Sequence, residues 1–215
     1  MNLDYPHSAL IIIDVQHDFC PGGALPVKDG KGVIGPINKM SSQFSAGRGT
    51  VIATQDWHPE NHVSFASSHE SMKPGDTIDT PMVKNQVLWP IHCVQGRAGA
   101  EFCEELDLKP VSCILRKGFR SSLDSYSAFF ENDRITATGL DGFLKALSIN
   151  TVVLGGLALD YCVFHSAMDA RALGVKVIIA SDAVRGADFP AGSAEMAMAS
   201  LKKAGVIFIP SGDLQ

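Results

Sequence analysis

Six short apolar runs, rich in β-branched residues, set the limits on what this chain can become: ALIII (residues 9–13), TVIAT (50–54), CIL (113–115), TVVLGG (151–156), VKVIIA (175–180) and VIFIP (206–210). Most are continuous rather than alternating. A strand with one wet face alternates apolar and polar residues. A continuous run asks for cover on both faces, which is the habit of parallel strands. Helical stretches lie between the runs. Pro36 suits a first turn within 33–44, and 139–149 places apolar residues at 140, 143, 144 and 147. The stretch 161–174 closes on Gly174, and 193–205 closes on Lys202, Lys203 and Gly205, all suited to helix C-termini. This order predicts a doubly wound α/β fold: a six-stranded, mostly parallel sheet with helices on both faces. The 215 residues suit one domain over 1–215. Its polar, turn-rich section at about 55–110 reads as an insertion, and a loop of that size is usually functional.

Several function classes are disfavoured at once. The net charge is -5 with no long basic run, which argues against nucleic-acid and membrane-surface roles. The first apolar run has no basic region before it and ends within a few residues at Asp14, so it is neither a signal peptide nor a span. Five cysteines, an odd number without a C-x-x-C pair, point to a reduced, cytoplasmic setting and away from a thiol redox protein.

In a doubly wound sheet, ligands bind beyond the carboxyl ends of the strands. Asp14 ends the first run, Asp56 and His58 follow the second, Arg116 and Lys117 the third, and GGLALDYC leads from the fourth to Cys162. Singly these are ordinary: an Asp caps a turn, a Lys is solvated, a Cys packs. Gathered at one edge they suit nucleophilic chemistry. A helix N-terminus and an ammonium would favour the Cys162 thiolate, and a carboxylate could take its proton. Asp56 and His58, two apart in extended chain, share a side and suggest a metal. The third ligand could come from His62, His69 or His92. Two imidazoles and a carboxylate with open positions suit iron or zinc.

Longer motifs extend this reading: IIIDVQHDFCPGGAL (11–25), TQDWHPENHVSF (54–65), WPIHCVQG (89–96), RKG (116–118), DSYSAFF (124–130), GLALDYCV (156–163) and ALGVKVIIASDAVRG (172–186). Through them the chain resembles, almost end to end, the nicotinamidase/pyrazinamidase branch of the isochorismatase-like cysteine hydrolases. The resemblance implies a triad of Asp14, Lys117 and Cys162, and metal ligands Asp56, His58 and His92, with His62 behind them. It implies an oxyanion hole from the backbone N–H groups of Ala158 and Cys162, after a cis bond preceding Ala158. Phe19, Trp89 and Tyr126 correspond to aromatic walls of the substrate pocket. The implied activity is hydrolysis of nicotinamide to nicotinate and ammonia through a cysteine thioester, in NAD salvage, with pyrazinamide as a second substrate. The implied cofactor is a divalent metal, Zn or Fe, with Mn also suited. An N-carbamoyl-amine hydrolase of the same fold is the nearest alternative; it would share the triad and lack the metal trio. A homo-oligomer is compatible with the sequence. Two positions depart from the family pattern, which usually has Asn at His17 and Thr at Leu159.

Overall fold

The computed structural model describes residues 1–214. In chain order it contains β1 (Ser8–Ile13), α1 (Ile34–Ala46) and β2 (Thr50–Asp56). A long segment follows with only short 3-10 turns and a small antiparallel pair, β3 (Thr77–Ile78) and β4 (Gln86–Val87). Then come β5 (Cys113–Lys117), α2 (Leu140–Ala146), β6 (Thr151–Leu157), a π-helical turn (Leu159–Val163) running into α3 (Phe164–Ala172), β7 (Lys176–Arg185), α4 (Ser193–Lys203) and β8 (Ile207–Ile209).

Six of these strands form one sheet in the order β5-β2-β1-β6-β7-β8, every neighbouring pair parallel. Each predicted run lies in one of them. The alternation of β1 shows why its run is continuous. Leu10 and Ile12 pack with Ile37, Met40 and Phe44 of α1 on one face. Ala9, Ile11 and Ile13 pack on the other with Leu140 and Leu144 of α2, Ala167 and Ala170 of α3, and Leu201 of α4. The four residues Leu10 to Ile13 are fully buried, and burying each such side chain contributes about 1.5–3 kcal/mol.

Two strands differ from expectation. As the sheet's edge, β5 alternates in burial, with Ile114 49% exposed. The fifth run does not stop at Ser181 and Asp182; β7 continues to Arg185, re-pairing with β6 at Gly156↔Val184 after a register shift. Asp182 is tolerated there because its carboxylate accepts the N–H and O–H of Ser211, both at 2.7 Å.

From β1 the chain winds outward through β2 to β5, then returns to lay β6, β7 and β8 on the other side. Such a reversal opens a crevice beyond the carboxyl ends of β1 and β6. Gly156 lets the two strands close there. Its φ is +127°, and a Cβ at that position would fall 2.0 Å from the Ile13 carbonyl oxygen.

Candidate active site

The crevice gathers the ends of four strands around one buried cation. The Lys117 Nζ lies 2.8 Å from Asp14 Oδ2 and 3.5 Å from Cys162 Sγ. It also donates to Asp56 Oδ1 and to the Ser125 carbonyl at 3.0 Å. Lys117 is 1% exposed, and a buried ammonium is costly unless paired. Burial works against its charge, but Asp14 and Asp56 prevail and hold its pKa well above the ordinary lysine value.

Asp14 leaves β1 in the left-handed region, φ +49°, and is fully buried. The Thr54 hydroxyl fixes it by donating to Oδ1 at 2.6 Å and accepting from the Asp14 N–H at 3.2 Å. Oδ2 meets Lys117 off the hydrogen-bonding direction and receives no other donor, so it keeps a lone pair. Burial raises the Asp14 pKa against the pull of Lys117, and the neighbouring Asp56 charge adds to the rise.

Cys162 occupies the π-helical turn ahead of α3, and its Sγ clusters with carboxylate oxygens of Asp14 and Asp56 within 4.8 Å. The sequence suggested that a helix terminus and an ammonium would favour the thiolate. Burial, with the two carboxylates, outweighs Lys117 and raises the thiol pKa well above its usual value. At rest Cys162 is therefore a thiol facing an acceptor. The Leu157–Ala158 bond before this turn is cis, and Ala158 and Cys162 both line the crevice.

The ligand cluster is next to it. Asp56, His58 and His92, all buried, bring their donor atoms within 4.8 Å of one another. His58 Nδ1 lies 2.8 Å from the Gly118 carbonyl, and His92 Nδ1 lies 2.8 Å from that of Pro90. Each carbonyl accepts the Nδ1 N–H and turns Nε2 toward the cluster, the outer contact that metal-binding imidazoles make. Burial opposes a charge on His58, but Asp56 prevails and raises its pKa, so an ion would bind there by displacing the Nε2 proton. This donor set fits a divalent cation. Gly118 makes the His58 contact feasible: its φ is +63°, and a Cβ there would fall 2.4 Å from the His58 ring. Burial tends to raise the Asp56 pKa, but Lys117 and His58 together hold it below the usual carboxylate range. Burial, then the His58 charge, lowers His92 to about 4, so its ring is neutral. Of the other two candidates, His69 bonds the Val63 carbonyl at 2.8 Å. His62 stacks on His58 with centroids 4.2 Å apart and makes a second grouping with His58 and Asp124.

A cavity of about 280 Å³ opens over both clusters. Phe19, Trp89 and Tyr126 line it, and Trp89 Nε1 donates to the Tyr126 hydroxyl at 3.0 Å. Tyr161 and Phe189 complete the aromatic wall, and neither was singled out in the sequence. Tyr161 directly precedes Cys162, a usable signal. Phe189 gave none, being one aromatic in an irregular stretch, tied in because the Tyr161 hydroxyl donates to its carbonyl. The joint role of Lys117, touching Asp56 as well as Cys162, was also not foreseen. His17 lines a different cavity, and Leu159 is buried in the core beneath α3.

Comparison with known proteins gives a consistent picture. Residues 8–213 match the family model described as the Isochorismatase domain. A nicotinamidase from Acinetobacter baylyi is 45% identical over 96% of this chain and 94% of its own. The structure of PnC1 from L. infantum in complex with nicotinate matches with a TM-score of 0.84 at 37% identity, covering 100% of this chain and 98% of that one. The pyrazinamidase of Pyrococcus horikoshii in complex with zinc matches with a TM-score of 0.78 at 33% identity, covering 95% and 99%. Among the described residues, no helix is long and apolar enough to cross a membrane.

Proposed function

The chain belongs to the isochorismatase family, and on that footing we propose that it is an amidohydrolase converting nicotinamide to nicotinate and ammonia. The observation that carries the reading is the ammonium of Lys117 held between Asp14, Cys162 and Asp56 at the floor of an aromatic cavity. The relatives' names support the substrate, and pyrazinamide, a similar single-ring amide, would be a second one. Nicotinate as product suits NAD salvage in the cytoplasm.

Asp14 Oδ2 accepts the Cys162 proton as the sulfur attacks the carboxamide carbon. Burial keeps the thiol neutral beforehand, so proton transfer and attack are coupled. Lys117 stays charged throughout and offsets the negative charge shared by Asp14 and the sulfur. The N–H groups of Ala158 and Cys162 receive the developing oxyanion. Collapse expels ammonia, which takes its proton from Asp14 and leaves a thioester on Cys162. Water, giving a proton to Asp14, attacks the thioester; collapse releases nicotinate and returns the thiol.

Asp56, His58 and His92 would hold a divalent cation, Zn or Fe by ligand type, with the zinc-bound relative favouring zinc. Such an ion supplies a Lewis-acidic point for the pyridine nitrogen, which orients the ring rather than activating the amide. Phe19, Trp89 and Tyr126 bracket the ring and exclude water.

The test is ammonia release from nicotinamide by the purified protein, with and without chelator, alongside elemental analysis. Turnover that weakens on chelation and returns with zinc or iron is expected. Cleavage of N-carbamoyl amines with no release from nicotinamide would replace this reading with the related hydrolase.

A further inference from the structure

Away from the crevice, two cysteines 83 positions apart face each other. The sulfurs of Cys20 and Cys103 are 2.8 Å apart, and both residues are 1% exposed and reduced. We propose that Cys20 and Cys103 form a dithiol site that a low-molecular-weight disulfide oxidises to an intramolecular cystine.

Three observations support it. First, both backbones are fixed before any bond forms. The Cys20 N–H donates to the His17 carbonyl at 3.0 Å, and the Cys103 N–H donates to that of Val15 at 3.1 Å. Gln16 bridges to Phe102 in antiparallel fashion, which locks the two segments side by side. A cystine has its sulfurs about 2.05 Å apart, so closure needs less than one further ångström rather than a rearrangement. Second, the pair lies just beneath the surface on one side, so a small opening of the Cys20 turn admits a reagent. A cavity of about 490 Å³ separate from the aromatic one has Cys20 on its lining, with the solvent-facing Pro21, Gly22 and Lys31 around it. Cys103 does not line it. Cys20 is therefore the entry thiol and Cys103 the resolving one, while the nearby Lys31 ammonium is paired with Glu105 at 2.6 Å and gives the reagent no preference for charge. Third, the sulfur–sulfur contact lets one thiol of the pair stabilise the other's thiolate, and at Cys20 it lowers the pKa with burial opposing. The remaining cysteines have no such partner among the described residues: Cys93 is fully buried, Cys113 lies on the edge strand, and Cys162 serves the crevice.

The chemistry balances without a metal or an electron carrier. The Cys20 thiolate attacks one sulfur of the reagent, forming a mixed disulfide and expelling one thiolate. Cys103, losing its proton to that leaving thiolate, attacks the Cys20 sulfur and expels the second. The reagent is reduced to two thiols, and the two protein thiols become one disulfide. In a reducing compartment such a bond would come and go with the ambient thiol poise, as intracellular disulfides generally do. Because the bridge closes a long loop, the oxidised fold should also melt higher.

The test uses the full chain carrying Cys162→Ala, so that the crevice thiol does not compete. The folded protein is incubated with oxidised glutathione, its thiols are counted and its peptides are mapped. Loss of two of the four remaining thiols, with a Cys20–Cys103 linked peptide that dithiothreitol removes, is expected. In Cys103→Ser the same treatment should leave a mixed disulfide on Cys20, and the chain without this second substitution keeps the test valid if that variant folds poorly. Linkage seen only after denaturation, adducts confined to Cys113, or a linked form that melts below the reduced one would overturn the proposal.

Discussion

The two halves of the crevice are built by opposite means. Asp14, Lys117 and Cys162 stand at or just beyond the ends of β1, β5 and β6, so strand register brings them together. His58 and His92 stand on a segment with almost no regular structure, where backbone carbonyls of Gly118 and Pro90 aim their rings. Regular elements position a side chain by geometry that apolar packing enforces. An irregular segment has to position it by individual hydrogen bonds. The halves meet at Asp56, which ends β2, touches Lys117 and lies within 4.8 Å of the Asp14 and Cys162 donor atoms. Whether they are separable in function is therefore an experimental question with a sharp answer.

The largest effect should come from Cys162→Ala. If Cys162 is the nucleophile proposed above, its removal lowers nicotinamide turnover by about 10⁴-fold or more. Metal content by elemental analysis should be unchanged, because no ligand ring touches the sulfur. A variant that lost both turnover and metal would show that the halves are one unit.

Lys117→Met attacks the joint itself. It leaves Asp14 and Asp56 buried without a cation, and breaking a buried pair by removing one partner costs about 3–5 kcal/mol. Urea unfolding should read this loss, and turnover and metal retention should fall together. Were metal retention to survive intact, Asp56 would be held by its imidazole neighbours rather than by Lys117.

This difference in construction also decides what the sequence disclosed. The apolar runs at 9–13, 50–54 and 151–156 revealed the parallel sheet because cover on both faces leaves no polar alternation to confuse it. Once the sheet was read, Asp14, Lys117 and Cys162 followed from their places at strand ends. From the residues alone the ligand half was legible only as a shortlist, and the family resemblance was what pointed to His92. Spacing does not separate His69 from His92; the fold of 57–112 brings the second to the cluster and the first to the Val63 carbonyl. Phe189 was invisible for the same reason: its role depends on an irregular stretch brought against the cavity from β7. The Cys20–Cys103 contact spans 83 positions and carries no local motif at all.

Smaller effects probe the ligand half. His92→Ala should raise KM for nicotinamide and weaken metal retention by about 10–100-fold or more, with a lesser loss of kcat. Gly118→Ala should do a milder version of the same. The added methyl, at φ +63°, would push on the His58 ring, costing about 1–3 kcal/mol in strain and loosening the metal. Equal losses of kcat in both variants, with KM unchanged, would mean that the ion acts on the chemical step rather than on ring placement.

The smallest effect concerns acid stability behind the thiol half. His165 sits on α3, stacks on Tyr126 with centroids 5.3 Å apart, and accepts a hydrogen bond from Arg134 at 2.8 Å through Nδ1. Burial, then the Arg134 charge, lowers its pKa to about 4, against 6.5 for the free side chain. A histidine whose folded pKa lies below the unfolded value stabilises the fold above the unfolded pKa. That contribution fades as pH falls from about 6.5 towards 4, because there the unfolded chain binds the extra proton. Protonation in the fold would set two cations against each other and end the Arg134 bond. Urea midpoints measured across this window should therefore fall more steeply for the native chain than for His165→Gln, by about one proton's worth of slope. Parallel profiles would mean that the ring is already solvated enough to titrate freely. A change in metal content between the two proteins would tie His165 to the ligand half, against the separation that strand register implies.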